Sequence, residues 1–92
     1  MINLQASADL AFHKFGIRRT DVEYEVENLT RRGLWGHATL MGKHIQVRPD
    51  LSDDKILEVL AHEIAHSRHV CHTGWHCLMT KRIHQYLREV AK

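Results

Sequence analysis

The alternation of hydrophobic and polar positions divides the chain into helical and extended segments. Residues 5–15 (QASADLAFHKF) set Ala8, Ala11, Phe12 and Phe15 at helical spacing, and Gly16 follows as a C-cap. Over 22–28 the pattern is strict alternation. Val22, Tyr24 and Val26 face one way and Glu23, Glu25 and Glu27 the other, as in a strand with one wet face. The stretch 30–49 (TRRGLWGHATLMGKHIQVRP) reads as a hairpin. Ala38, Leu40, Ile45 and Val47 carry the two-residue period, Gly42-Lys43 is the expected turn, and Gly36 permits a bulge or a tight backbone approach. Pro49 ends the second arm. Together these strands predict a small, mostly antiparallel three-stranded sheet.

The next segment opens with Ser52 as N-cap and Asp53 and Asp54 in the first turn, where the helix dipole favours acids. Leu51 can staple onto Ile56, and Leu57, Leu60, Ala61 and Ile64 form an apolar stripe. Weak helix formers at Val70, Thr73 and Gly74 predict a break. Helical spacing then resumes over 75–90 with Trp75, Leu78, Met79, Ile83, Tyr86, Leu87 and Val90. The fold class expected is α+β: an N-terminal helix, the sheet, a central helix and a C-terminal helix, in one domain over 1–92.

Composition narrows the class. With 43% hydrophobic and 26% charged residues in 92, the chain reads as a globular domain with a modest core. No apolar run reaches the roughly 18–20 residues of a membrane helix. The first residues lack the basic and apolar parts of a secretory signal, so a cytoplasmic protein is expected. Reduced thiols are then expected at Cys71 and Cys77, as small buried residues. A net charge of +2 does not by itself imply nucleic acid. The basic residues do gather at Arg18-Arg19, at Arg31-Arg32 and in the last helix (Lys81, Arg82, Arg88, Lys92), a face that would make weak phosphate contacts. Neither membrane contact nor a stable oligomer is expected.

The unusual number is nine histidines. His62-Glu63-Ile64-Ala65-His66 is an HExxH motif within the best-defined helix. Residues four apart differ by about 40° around a helix and about 6 Å along it, so both imidazoles leave one face. That arrangement suits two zinc–nitrogen bonds of about 2.0–2.1 Å. Glu63, about 100° from His62, reaches a water beside the metal and is the candidate general base. In a histidine-rich chain the motif could arise by chance, but chance accounts for neither the cap and stripe around it nor the histidines beyond it.

A catalytic zinc needs a third protein ligand. His69 lies about 10 Å along the axis from His62 if the helix continues, too far to share one ion. His72 becomes available only if the chain turns after about residue 69. The ligand spacing is that of metzincins, where a glycine makes the turn; here the position is His69, which tolerates left-handed geometry. His76, at the start of the next helix, is the alternative, and Glu89 a remoter one. His37, His44 and His84 have structural or surface roles, with His44 a possible lining of the cleft.

The run AHEIAHSRHVCHTGWHCLM, with LWGHATLMGKHIQVRPDLS before it, resembles the SprT-like and WLM group of zinc metallopeptidases. The resemblance spans about 15–90 and is specific around the motif. It implies a minimal, core-only zincin domain of the phage-accessory type, with His62, His66 and His72 as zinc ligands and Glu63 as catalytic base. It departs from the group after the third histidine: Trp75 stands one residue early, and His76 occupies the usual aromatic site. The segments that bind DNA in crosslink-repairing members are missing. The function expected is hydrolysis of peptide bonds in a protein or peptide substrate, DNA-associated proteins among the candidates, lying extended along the hairpin strand over 37–48. Tyr86, His44 and Arg68 are candidate oxyanion stabilisers. Two rivals stand beside it. One is a catalytically silent zincin-fold module that binds DNA or a partner protein. The other is a closed structural zinc site drawing on Cys71 or Cys77.

Overall fold

The computed structural model describes residues 2–38, 44–69 and 72–90. The first helix, α1 (Leu4–Phe15), starts where the Asn3 side chain accepts from the amide of Ala6 at 3.1 Å. It stops at Gly16, which takes the left-handed conformation (φ 63°) that lets the Ile17 amide reach back to the carbonyl of Phe12. Its buried face is Leu4, Ser7, Ala8, Ala11 and Phe12, close to the spacing read from the sequence.

Strand β1 (Asp21–Tyr24) is shorter than the alternation over 22–28 suggests. The chain leaves it for a one-turn helix, α2 (Glu27–Arg31), because the Glu25 carboxylate accepts from the amides of both Asn28 and Leu29 at 3.0 Å. That cap curls the backbone, sends Leu29 inside and leaves Val26, expected to face inward, 51% exposed. Strands β2 (Gly36–Ala38) and β3 (His44–Val47) form the expected hairpin, with Gly36 opposite Val47 and Ala38 opposite Ile45. Its expected turn at Gly42-Lys43, and Leu40, lie outside the described residues.

The sheet is mixed rather than mostly antiparallel. Its order is β1-β3-β2, with β1 parallel to β3 and β2 antiparallel to it. The segment containing α2 carries the chain past one strand position, so β2 forms the far edge and β3 returns to the centre. Ile45 and Val47 point into the core, while Gln46 and His44 point away from it.

Helix α3 (Asp53–Ala65) runs through the core. Ser52 caps it by accepting from the Lys55 amide, as the sequence indicates. Burial extends well beyond one stripe: Val59 and Glu63 are buried along with Ile56, Leu57, Leu60, Ala61, Ile64 and Ala65. The helix packs against β2 and β3, α1, and α4 (Gly74–Val90). Helix α4 turns His76, Ile83 and Leu87 inward, with Met79 and Tyr86 partly buried. Trp75, Leu78 and Val90, read as part of its apolar spacing, are exposed. At the far end of α4, Arg88 and His84 hold Asp54 of α3, with Arg88 bidentate at 2.7 and 3.0 Å. No helix among the described residues is long and apolar enough to cross a membrane.

Candidate metal centre

The site forms where α3 ends. The helix stops one residue short of the second histidine of the motif, and His66 is its C-cap. The next amides bond three residues back: His66 to Glu63, Ser67 to Ile64 and Arg68 to Ala65. This tightened turn reverses the chain earlier than expected and without left-handed geometry, since no described residue other than glycine has positive φ. His69 is therefore not the left-handed residue that the spacing suggested. The chain returns beside α3 and delivers His72 and then His76.

His62, His66, His72 and His76 form one cluster, each offering a ring nitrogen, with all four nitrogens within 4.8 Å of one another. The sequence left His72 and His76 as alternatives; the fold brings both. Nε2 of His62 and Nε2 of His72 lie 3.1 Å apart, close to the edge of about 3.3 Å that a tetrahedral site with zinc–nitrogen bonds of 2.0–2.1 Å would have. Two protons are fixed by carbonyls, which can only accept. His66 donates through Nδ1 to the carbonyl of His69 at 3.0 Å, and His76 donates through Nε2 to the carbonyl of His62 at 3.1 Å. Each ring is left with a lone pair on its other nitrogen. Burial, followed by the neighbouring imidazoles His76, His66 and His72, pushes His62 down from 6.5 to about 4. The same desolvation lowers His76. Both shifts favour the neutral form of these two rings, the form that binds a metal. Four imidazoles with no carboxylate among them fit a borderline transition metal and not calcium or magnesium.

Glu63 sits beside the cluster, its Oε1 3.9 Å from Nε2 of His62. It is buried under β2, and desolvation raises it from 4.5 to about 7. The close approach foreseen at Gly36 is real. A Cβ there would stand 2.5 Å from Val59 Cγ1 and 3.3 Å from Glu63 Cγ.

His62, Glu63, His66 and His72 line a cleft of about 680 Å³. Its walls include Trp35, Gly36, His37 and Ala38 on one side, and Lys55, Glu58, Val59 and Thr80 on the other. The Lys55 ammonium lies 4.1 Å from the Trp35 ring centre. Of these wall residues, Gly36, His37 and Ala38 belong to the hairpin read from the sequence, whereas Trp35, Lys55, Glu58, Val59 and Thr80 carried no signal for the site. The two sheet edges differ. The free side of β1 is occupied by the Gln5 amide, which accepts from Val22 N at 2.9 Å and donates to the Thr20 carbonyl at 3.1 Å. On β2, the Trp35 carbonyl accepts from the Arg48 amide. Antiparallel alternation then turns the backbone groups of Gly36 and Ala38 outward to the open edge.

The other sequence candidates lie elsewhere. His44 faces Glu23 at 3.0 Å on the outer side of the sheet, Arg68 donates to the carbonyls of Phe15 and Gly16, and Tyr86 packs edge-on against Phe15. None of these three lines the cleft, so none is placed to stabilise an oxyanion there. Cys77 is exposed, contrary to its expected burial, and neither it nor Glu89 belongs to the cluster. Cys71 lies outside the described residues. Among the basic residues, Arg19 is paired with Asp9 and Asp21, and Arg88 with Asp54.

A comparison with protein-family models, curated proteins and solved structures found no match. The assignment of chemistry therefore rests on the site itself, a four-histidine cluster able to hold a metal ion.

Proposed function

We propose that this protein is a zinc-dependent peptidase of the SprT-like, core-only type, hydrolysing peptide bonds with Glu63 as general base. The observation that carries this reading is the 3.9 Å between the buried Glu63 carboxylate and Nε2 of His62, beside an all-imidazole cluster open to a cleft. A purely structural metal has no use for a buried carboxylate there, and burying a carboxylate is costly. The same point disfavours a catalytically silent binding module.

Imidazoles whose ring centres stand 4.2–5.1 Å from one another suit zinc. Bound there, zinc would supply Lewis-acid polarisation of a peptide carbonyl and make water a better nucleophile at neutral pH. His62, His66 and His72 would hold it. Glu63 accepts a proton from the attacking water and returns it to the departing amine nitrogen. A carboxyl raised to about 7 by burial is suited to both transfers. The substrate adds as a strand to β2, pairing with the outward groups of Gly36 and Ala38, while Gln5 blocks the opposite edge of the sheet. Any weak DNA contact would fall to Arg18, Arg31, Arg32, Lys81 and Arg82, since Arg19 and Arg88 already pair with acids.

The test is Glu63→Gln, assayed on an unfolded protein substrate with zinc supplied. The variant is expected to keep one metal per chain and to lose about 10²–10⁴-fold in cleavage rate. Wild-type cleavage by the variant would remove Glu63 from the mechanism, and no cleavage by zinc-loaded wild type would remove the peptidase assignment.

A further inference from the structure

The proposed mechanism uses three imidazoles, and the fold brings four together. His76 is the most buried of them, at 3% exposure. A buried imidazole needs an account of both ring nitrogens. Nε2 has one. At the end of α3 the His66 amide bonds to the Glu63 carbonyl, and His76 Nε2–H donates to the carbonyl of His62 at 3.1 Å. A glutamine could do the same. What a glutamine could not do is present a second nitrogen lone pair to three other imidazoles. The His76 ring packs at 4.2 Å from the His66 ring centre and 4.6 Å from that of His62. A carbonyl that fixes the proton on one ring nitrogen and frees the other is the outer arrangement typical of metal-ligating histidines. His66 has it through the His69 carbonyl, and His76 has it through the His62 carbonyl.

We propose that His76 is a fourth metal ligand through Nδ1, so that the resting site is a closed four-imidazole shell and His76 is a built-in brake on hydrolysis. This rests on the zinc-site reading above and adds its regulation. Catalytic zinc sites keep one position open, whereas structural sites fill all four with protein donors. A fourth nitrogen from α4 fills the position that the attacking water needs. Glu63 then stands ready beside a centre that stays silent until the His76 nitrogen gives way to water. This restrains a small peptidase whose cleft is otherwise open.

Two measurements test it. Zinc-edge X-ray absorption on the loaded wild-type protein counts ligands directly and needs no variant; four imidazole nitrogens are expected. Cobalt-loaded protein is then titrated with azide. The wild-type visible spectrum should not move, whereas His76→Gln, which keeps a donor for the His62 carbonyl, should bind cobalt and show an azide-induced shift. Three imidazoles plus one oxygen in the wild type, or an azide shift equal in both proteins, overturns the fourth-ligand role and leaves the peptidase reading intact. A closed wild-type site that opens in His76→Gln without any cleavage supports the closed shell and counts against the peptidase reading. A wild-type protein that takes up no metal overturns both.

Discussion

Gly36 lies directly against Glu63, with no room for a side chain between the edge strand and the proposed base. A Cβ at this position would press on Val59 Cγ1, the Gln46 carbonyl and Glu63 Cγ. Gly36→Ala therefore has to push β2 away from α3. Overpacking of this kind costs about 1–3 kcal/mol. It also moves Glu63 relative to His62, so cleavage should fall by more than the loss of folded protein explains. Activity per folded molecule, taken beside a thermal melt, checks this. An unchanged rate at normal Tm would mean that the base tolerates displacement.

The two long helices are tied at the end remote from the histidine cluster. Asp54 accepts from Arg88 and His84, and these contacts, Arg88 first, hold its carboxyl at about 2 instead of 3.8. A carboxylate depressed in the native state stabilises the fold above its unfolded value, and that contribution is lost as pH falls through 3.8 towards 2. Asp54→Asn should flatten the fall of Tm between pH 4 and pH 2 relative to wild type. Parallel curves for the two proteins would show that the contact contributes nothing in solution.

Much of this was legible from residue pattern. Ser52, the two aspartates and the apolar spacing place α3, Gly16 closes α1, and the HExxH spacing places His62, Glu63 and His66. Features set by non-local contacts were not legible. The Glu25 carboxylate cutting β1 short is one, because alternation over 22–28 is as compatible with a longer strand. The parallel pairing of β1 with β3 is another, since it depends on where the α2 segment crosses. The candidate third ligands appeared as rivals because helical geometry was extended past the motif. The tight turn at His66 removes that premise, and both His72 and His76 then reach the cluster.

Two groups at the centre titrate in opposite senses, which makes the acid response of chelator-treated protein informative. His62 is lowered to about 4, chiefly by burial, while the unfolded chain takes up that proton near 6.5. Between those values the unfolded state holds more protons, so this group removes stability as pH falls from 6.5 to 4. Glu63 is raised to about 7 against 4.5 when unfolded, so it adds stability as pH falls through 7 towards 4.5. Relative to wild type, His62→Asn should lose less Tm on acidification from pH 6.5 to pH 4, and Glu63→Gln should lose more. If both variants track wild type across this window, burial does not set these protonation states.

His69 and His72 contribute to the centre by different atoms, and a pair of substitutions separates them. His69 supplies its backbone carbonyl to His66 Nδ1, which any residue at that position would retain. His72 supplies its ring, 3.1 Å from the ring nitrogen of His62. Zinc held at one hundred times its Kd stabilises a fold by about 2.7 kcal/mol. At roughly 4–8 °C per kcal/mol for a domain of this size, that is a rise of about 10–20 °C in Tm. His69→Ala should keep the zinc-induced rise in full, and His72→Ala, left with three imidazoles, should keep a smaller one. An undiminished rise in His72→Ala would remove His72 from the ligand set. A rise lost in His69→Ala would mean that the imidazole of His69, and not only its carbonyl, serves the metal.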